Sequence, residues 1–562
     1  MNAALMRNLR LAAAAAAALA LPAVAAAPVH AQSDDPATLT IAVAQEVDTL
    51  SPFQAVRRIT TNMHRLMYDF LTNYDPQTGE TIPALAESWE TSADGLTWTY
   101  HIRQGSEWSD GQPVTAADVE WTFNTMMTDP DAAAANGSFV ENFASVTATD
   151  EYTVEVRLES PQVTMLALDV PIVPRHIWQE VDDFAAFTND EQLPIVGNGP
   201  FILTDYQPNQ SITLEANQDY WRGAPQFDQL VLRYIDDPDA QVEALRRGEV
   251  TFVEGLTPAQ ADALMNEPNI TVNRAQGKRF QAITINPGAR LQNGEPFGDG
   301  HPALQEPVVR EALVRTIDRD AIYEVVYGGY GEANGGFIPS RYDQYHWEPT
   351  GAEVVGFDIA AANELLDGAG YAPGDDGIRV SPDGDPLSFR FNVHADVPQY
   401  IQAAEMMEEW ALEAGIELLV EPVAEVGGSY LSDAYFCNEQ YDQLYAQQLA
   451  ELDPAARADI VKQMQQILYE ENVFVVWGYA DALEAYRSDV IESMQPQPDP
   501  GGNYYGQDGY WSWWSAVPAS ADDSSGMNPA IVIGVVVAAL VLLGGGAFLL
   551  LRRRSATAEE RE

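Results

Sequence analysis

The chain has 562 residues, 46% of them hydrophobic and 10% aromatic, so it can fold into two or three domains and is not a disordered chain. Its formal net charge is −55, and a field of that sign excludes nucleic acid and anionic lipid as general partners. Because the acidic residues are spread along the whole chain, we interpret them as a solvated surface suited to high salt, where charge repulsion is screened.

The first 31 residues have the pattern of a secretory signal peptide. Arg7 and Arg10 precede an alanine- and leucine-rich run at 11–27, and a small-residue cleavage site ends at Ala31. We expect cleavage after Ala31, and an uncleaved membrane anchor is the alternative. The mature chain is therefore expected outside the cytoplasm.

Residues 97–127 predict a strand, a turn and a capped helix. The stretch TWTYHIR, which starts at Thr97, alternates with period 2, as a half-buried strand does. The stretch SDGQP that follows has turn chemistry, because Asp-Gly supplies positive φ. Thr115 and Asp118 fit a capping box in front of the helix AADVEWTFNTMM. These features by themselves are structural.

Later segments mix helices and strands without a strict alternation. A strand is predicted at 153–160, and a helix followed by a strand at 239–256, 400–423 and 456–479. An amphipathic helix pair is predicted at 306–329, where two glycines end it. The fold class is therefore mixed α/β.

The C-terminus predicts a membrane anchor. Residues 530–551 form an apolar run followed by three arginines, long enough to span a bilayer at 1.5 Å per residue. Positive charge stays in the cytoplasm, so we expect an extracellular body, a linker at 516–529 and a cytoplasmic tail at 552–562. Cys437 is the only cysteine, which excludes an intramolecular disulfide and an N-terminal lipoprotein anchor.

A long motif carries a family resemblance. Residues 83–119 read PALAESWETSADGLTWTYHIRQGSEWSDGQPVTAADV, which resembles the family 5 extracellular solute-binding proteins of ABC transporters, the oligopeptide, dipeptide and nickel-binding type. Further segments resemble this family in its own order: 38–53, 196–237, 310–322, 362–371 and 435–448. The resemblance covers roughly residues 38–515.

The resemblance implies a two-lobed periplasmic-binding-protein-like fold with an extra subdomain inserted in the first lobe (cluster C type). Lobe I would comprise 38–65, 195–283 and 484–515, the inserted subdomain 66–194, and lobe II 284–483. The lobes would close on ligand by hinge bending.

One part of the chain departs from the family pattern. After IELLVEPV the family usually has a longer segment with a Trp-rich turn, whose acidic residue pairs with the α-amine of a bound peptide. Here the chain runs directly from Val426 into GGSYLSDAYFCN, so lobe II is expected to be shortened near 426–430. An internal deletion and a diverged member with a smaller lobe are both open. A missing strand would leave unpaired backbone groups in the sheet.

Three places are candidate walls of the ligand cleft. The segment FQAVRRITTN matches the family's ligand-lining loop, where backbone groups pair with an extended peptide, and it contains Val56, Arg57, Arg58 and Ile59. The two arginines could bind a carboxylate or form surface ion pairs.

The other two candidate walls are aromatic. Trp477 and Tyr479 are expected on the same side of a strand by period 2, and could stack on ligand or belong to the core. His346 and Trp347 lie in the predicted second lobe, where core or surface roles are the alternative to ligand contact.

The sequence contains no HExxH, GxSxG or Walker A motif, and its histidines lack metal-ligand spacing. We therefore expect no enzyme activity, cofactor or metal. Three functions remain: a membrane-anchored receptor that delivers a peptide or similar solute to an ABC permease and ATPase, a tethered sensor or scaffold with a degenerate cleft, and an extracellular hydrolase. The receptor is favoured by the resemblance, and the hydrolase is disfavoured by the missing motifs.

Overall fold

A computed structural model describes residues 36–290, 295–297, 300–395, 397–423, 434–504 and 510–519. The predicted signal peptide, transmembrane helix, cytoplasmic tail, most of the linker and the expected shortening near 426–430 lie outside these residues. Within the described ranges, no helix is long and apolar enough to cross a bilayer.

The α-helices in chain order are α1 (Arg58–Met67), α2 (Ala116–Thr128), α3 (Arg175–Trp178), α4 (Pro238–Arg247), α5 (Pro258–Leu264), α6 (Pro307–Val314), α7 (Arg319–Val325), α8 (Ile359–Gly368), α9 (Pro398–Glu413), α10 (Glu439–Ala450), α11 (Pro454–Glu471) and α12 (Trp511–Trp514). Short 3-10 helices occupy Gly137–Phe139, Val163–Leu166, Pro302–Gln305 and Gly351–Glu353.

The strands are β1 (Thr38–Val43), β2 (Thr72–Tyr74), β3 (Thr81–Pro83), β4 (Ala86–Thr91), β5 (Thr97–Ile102), β6 (Phe143–Asp150), β7 (Thr153–Leu158), β8 (Phe201–Gln207), β9 (Ser211–Ala216), β10 (Gln229–Tyr234), β11 (Phe252–Val253), β12 (Ile270–Ala275), β13 (Gln281–Thr284), β14 (Ala289–Arg290), β15 (Pro296–Phe297), β16 (Gly331–Ala333), β17 (Ala372–Pro373), β18 (Arg379–Val380), β19 (Ser388–His394), β20 (Glu417–Val423), β21 (Phe474–Ala480), β22 (Ala482–Arg487), β23 (Ile491–Ser493) and β24 (Val517–Pro518).

The predicted strand and capped helix at 97–127 are confirmed. Strand β5 begins at Thr97 and ends at Ile102, and helix α2 begins at Ala116. The carboxylate of Asp118 accepts a hydrogen bond from the amide of Thr115 at 2.8 Å, as a capping box requires. Local side-chain chemistry is enough to fix this segment.

The largest sheet has seven strands in the order β12-β22-β11-β1-β10-β9-β8. Strand β1 runs parallel to β10 and β11, and β22 runs antiparallel to β11 and β12. One face of this sheet shares a continuous apolar core with the four-stranded sheet β4-β5-β7-β6. The other face is covered by a smaller core that includes residues of α4 and α5.

A second region is built around the three-stranded sheet β13-β21-β16 and the parallel pair β19-β20. Side chains from α6 to α9 and from both sheets form its apolar core. Two short crossings join this region to the seven-stranded sheet: residues 276–280 lead from β12 to β13, and Asp481 alone links β21 to β22. The chain therefore passes twice between the two regions at nearly the same place.

Strand β20 pairs in parallel with β19 and, among the described residues, with no other strand. Leu419 on this strand is 43% exposed. Parallel strands are normally covered and paired on both sides, so a two-stranded parallel unit leaves the outer row of backbone groups on each of its strands without ladder partners among the described residues. The expected loss of a neighbouring strand stays a prediction, because residues 424–433 lie outside the described ranges.

Candidate functional site

The candidate site lies at one edge of the seven-stranded sheet, next to the crossings. Strands β1, β10, β11 and β12 all point the same way, so their last residues, Val43, Tyr234, Val253 and Ala275, lie at a common edge. In open sheets of this kind, ligands bind beyond the carboxyl ends of the parallel strands. The first group of predicted site residues, 56–59, lies where the loop that follows β1 enters α1.

That loop is folded onto a carboxylate of its own. Val56 is 71% exposed, but the backbone amides of Val56 and Arg57 both donate to Oδ2 of Asp48, at 2.8 and 3.0 Å. The pairing of this loop with an extended peptide, which the resemblance implies, therefore cannot use these two donors while Asp48 holds them.

The ionised form of Asp48 is the one that suits this role. Burial raises the pKa of the Asp48 carboxyl, but the hydrogen bonds from Thr60, Val56 and Arg57 outweigh burial and lower the pKa below its usual value. Asp48 therefore stays charged at neutral pH and fixes the conformation of the loop ahead of α1.

The predicted arginines point to protein groups. Arg57 donates through Nη1 to the backbone carbonyl of Glu46 at 3.1 Å, and Arg58 forms an ion pair with Glu254 at 3.3 Å. The second contact joins the first residue of α1 to the loop that follows β11. Ile59, the fourth predicted residue, is 5% exposed and belongs to the first core, so it is unavailable to a ligand.

The expectation that Trp477 and Tyr479 share one side of their strand is wrong. Gln281 of β13 faces Gly478 of β21, whereas the next residue, Ala282, faces Val476, so Trp477 is the extra residue of a β-bulge. A bulge shifts the alternation by one position. Trp477 therefore packs in the core of the second region, and Tyr479 packs with Val476 in a separate cluster.

The structure brings Tyr479, His346 and Trp347 into neighbouring positions. The Tyr479 hydroxyl donates to the carbonyl of Gly336 at 2.9 Å, and the His346 ring lies 6.4 Å from the Tyr479 ring. Trp347 packs edge-on against Tyr469 at 5.4 Å. Because Tyr479 is only 2% exposed and its hydroxyl is satisfied internally, this group supports the fold of the second region.

Trp477 belongs to an aromatic group that sequence reasoning missed. Tyr400 lies edge-on to Trp477 at 5.9 Å, and Tyr323 and Tyr327 stack on each other at 4.8 Å in the same core. The spacing of Tyr323 and Tyr327, four residues apart at a helix end, was the available signal, because i and i+4 share a helix face. The charge of Arg279, in the first crossing, opposes the rise in the pKa of Tyr400 that burial causes.

No group of three metal-ligating His, Cys, Asp or Glu side chains occurs in the described part of the chain. A small cavity of about 20 Å³ lies behind the loop after β1, between Val43, Ile59 and Tyr234. That volume holds about one water molecule and is too small for a solute.

Comparison with protein families gives one extended match. The family described as bacterial extracellular solute-binding proteins, family 5 (middle region), matches residues 80–448. Di/tripeptide-binding protein 2 of Pseudomonas aeruginosa is 24% identical over 514 residues, which cover 83% of this chain and 93% of that protein. A Brucella ovis protein, provisionally named as an ABC transporter peptide-binding protein, is 30% identical over 309 residues. That match covers 54% of this chain and 55% of the relative, so the chain spans about half the length of such curated relatives.

Solved structures share the fold. The oligopeptide-binding protein AppA of Bacillus subtilis, in complex with a nonapeptide, superposes with a TM-score of 0.69 at 20% identity, over 86% of this chain and all of that one. NikZ of Campylobacter jejuni, in complex with Ni(L-His), gives a TM-score of 0.70 at 18% identity and covers 86% of this chain and 100% of that one. These neighbours are two-lobed, mixed α/β binding proteins, and the chain has the same fold.

Proposed function

The chain belongs to the bacterial extracellular solute-binding proteins of family 5, and from this premise we propose that it captures a peptide or a similar small solute between its two lobes. The observation that carries the proposal is the pair of crossings, 276–280 and Asp481, which join the two regions beside the edge where the parallel strands end. Two bodies joined by short crossings can close on a ligand by a small rotation.

A peptide is the favoured solute. The Pseudomonas relative is named for di- and tripeptides, and the Bacillus structure holds a nonapeptide, whereas the Campylobacter structure holds a nickel–histidine complex. One scaffold thus serves different ligands, and the solute is decided by the site and not by the fold. Catalysis is not required, because closure needs only ligand contacts that favour one arrangement of the lobes.

The proposal extends to cellular context. The receptor would be exported, cleaved after Ala31, anchored by the helix at 530–551, and would deliver its solute to an ABC permease and ATPase in the same membrane. The proposed division remains 38–65, 195–283 and 484–515 for lobe I, 66–194 for the inserted subdomain, and 284–483 for lobe II. The acidic surface would keep this body soluble in a saline habitat.

A tethered sensor or scaffold is the second candidate. The outer edge of β20, which has no partner strand among the described residues, favours it, because a lobe that lacks a strand would have a changed or disabled cleft. An extracellular hydrolase has no supporting observation.

Native mass spectrometry of the full chain tests the proposal. The protein would be exported in a cell, purified in detergent and high salt, and exposed separately to a tryptic digest of casein and to a pool of disaccharides. We expect an added mass with the digest, which fragmentation identifies as peptide. A folded protein that keeps its own mass with the digest would contradict the peptide-receptor function, and uptake from the disaccharide pool would change the solute class.

A further inference from the structure

The loop between β1 and α1, residues 44–57, inserts an aromatic side chain into the proposed inserted subdomain. Phe53 is 3% exposed, and its ring lies edge-on to the rings of Trp178 and Phe184, with centres 5.2 Å apart in each pair. Trp121 of α2 lies edge-on to the same ring at 6.3 Å. Edge-to-face aromatic pairs add to the stabilisation that burial gives. Phe53 therefore anchors this loop of lobe I in a cluster formed by another part of the chain.

Hydrogen bonds hold the backbone next to this anchor. The amide of Ala135 donates to the carbonyl of Phe53 at 3.0 Å. Gln54 donates through Nε2 to the carbonyl of Asp131. Ala135 and Asp131 both lie in the segment that follows α2, so the inserted subdomain binds two consecutive residues of the loop.

The two ends of the loop rest on different parts of the molecule. Near its start, Glu46 accepts a hydrogen bond from the amide of Asn209, in the turn between β8 and β9. In its middle, the amide of Leu50 donates to the carbonyl of Thr188 at 3.2 Å, and Nδ2 of Asn189 donates to the carbonyl of Leu50 at 3.2 Å. The loop thus starts on the seven-stranded sheet, and its middle is held by the inserted subdomain.

The held segment leads directly into the exposed end of the loop. Val56 is 71% exposed, and Arg57 and Arg58 are exposed as well. They follow β1 at the edge where the parallel strands end, which is where ligands bind in sheets of this kind. Val56 comes two residues after Gln54, a span of at most about 7 Å, so a shift of Gln54 is carried into the exposed end.

We propose that the inserted subdomain sets the position of residues 56–58 for solute capture, and that Phe53 and Gln54 are the positioning residues. This role rests on the proposed function, since it connects the inserted subdomain to the solute site at the edge of the sheet. Phe53 and Gln54 act through the loop, by keeping it in the arrangement that binds. If that arrangement is populated for only part of the time, the apparent dissociation constant rises by the reciprocal of the populated fraction.

Two substitutions loosen the loop, and a third is the matched control. Gln54→Met removes the amide donor and keeps the length of the side chain, and Phe53→Leu stays apolar but loses the ring contacts. Gln77→Met is the control, because Gln77 also ties the inserted subdomain to lobe I, but at another segment. Gln77 donates through Nε2 to the carbonyl of Pro496 at 3.1 Å and accepts from the amide of Asp499 at 2.7 Å.

Native mass spectrometry of each full chain measures the affinity, with a tryptic digest of casein as the probe. The occupied fraction over a dilution series of the digest gives the apparent dissociation constant, and peptide release after dilution gives the dissociation rate. Urea unfolding of each variant checks that it folds and measures its stability. If Phe53→Leu does not fold, Gln54→Met decides the test.

We expect Gln54→Met to weaken peptide binding by about threefold to tenfold, and Phe53→Leu to weaken it at least as much. The loss should lie in association, with the dissociation rate unchanged, because the loop must first return to the binding arrangement. Gln77→Met should lower stability and keep the affinity, as a purely structural contact does.

Two outcomes separate this role from the proposed function. If the unsubstituted chain takes up peptide but folded Gln54→Met and Phe53→Leu bind it with unchanged affinity, the positioning role is wrong while the receptor function stands. An equal loss of affinity in Gln77→Met would also overturn the role, because any contact of the inserted subdomain would then serve. If the unsubstituted chain takes up no peptide, the peptide-receptor function fails and the positioning role fails with it.

Discussion

Trp221 donates its indole Nε1–H to Oδ2 of Asp69 at 2.7 Å, across 152 positions of sequence. Tyr220 donates to the other carboxylate oxygen at 3.1 Å. The guanidinium groups of Arg103 and Arg222 lie 3.6 and 4.2 Å from the centre of the Trp221 ring. A buried carboxylate is thus held by two neutral donors and faced by two cations.

The first prediction concerns the pH dependence of stability through Asp69. Burial raises the pKa of its carboxyl to about 6, although Trp221, Arg222, Tyr220 and Arg103 oppose the rise. Between the unfolded pKa near 3.8 and the folded pKa near 6, the native state keeps a proton that the unfolded state releases. The stabilisation is therefore fully present below the unfolded pKa and lost as pH rises through 6, by up to about 3 kcal/mol.

Asp69→Asn should remove this pH-dependent contribution to stability, because the asparagine side chain is neutral at every pH. Urea unfolding of both proteins at pH 4, 5, 6 and 7 measures the difference in unfolding free energy. We expect Asp69→Asn to gain stability relative to the unsubstituted protein as pH rises. A difference that stays constant over this range would contradict the prediction.

The second prediction concerns the carboxylate of Asp48, whose contribution to stability changes with pH in the opposite direction. Its pKa is lowered in the folded state, so its contribution is present above the unfolded pKa and lost as pH falls through the lower folded pKa. Asp48→Ala should reduce the unfolding free energy by about 1–3 kcal/mol at neutral pH, because the amides of Val56 and Arg57 lose their acceptor.

The deficit of Asp48→Ala should shrink in acid, and urea unfolding at pH 7 and pH 3 measures it. Thr60→Val is a companion variant that leaves the carboxylate in place and removes one hydroxyl that lowers its pKa, so its deficit at pH 7 should be smaller than that of Asp48→Ala. A deficit that is equal at both pH values would show that the carboxylate charge does not matter.

The third prediction concerns the glycine that follows the bulge. Gly478 has a φ of +151°, and a Cβ there would lie 2.2 Å from the carbonyl oxygen of Glu332 and 2.3 Å from the ring of Tyr323. Gly478→Ala should destabilise the protein by about 3 kcal/mol or more, through backbone strain and overlap with backbone atoms. Thermal and urea unfolding measure the loss.

Gly79→Ala is the control that measures the cost of backbone strain without steric overlap. Gly79 also has a positive φ, +71°, but a Cβ there would meet nothing within 4 Å. Its substitution should cost about 1–2 kcal/mol. Equal losses for the two variants would mean that the close packing at Gly478 contributes nothing.

The fourth prediction concerns the contacts of Arg274, which join the two regions beside the crossings. Arg274 of β12 pairs with Asp481, donates to the carbonyl of Gly329 at 3.1 Å, and lies 4.9 Å from the ring centre of Tyr330. The Tyr330 hydroxyl donates to Asp262 of α5. Arg274 and Tyr330 thus tie the seven-stranded sheet to the turn ahead of β16.

A double-mutant cycle measures this coupling. Arg274→Ala and Tyr330→Leu should each destabilise the protein, and their combined loss should fall short of the sum by about 0.5–1 kcal/mol. The figure is small because the Arg274 side chain is half-exposed to water. Strictly additive losses would rule out an energetic link between the two side chains.

The local sequence was sufficient to predict secondary structure wherever neighbouring residues determine the backbone conformation. The alternation from Thr97 to Ile102 produced the strand, and Asp118 capped the helix, because both effects act over a few residues. The family was also correctly identified, since the motif at 83–119 is long and specific. The lobe boundaries and the membrane anchor stay predictions.

Tertiary structure alone decided which candidate site residues are available to a ligand. The bulge at Trp477 put Trp477 and Tyr479 on opposite sides of β21, because one unpaired residue reverses the alternation that period 2 assumes. The backbone amides of Val56 and Arg57 are taken by Asp48, and Trp477 of β21 packs against Tyr400 of α9. Sequence spacing fixes which side chains are close along one element, whereas contacts between distant elements depend on how those elements pack.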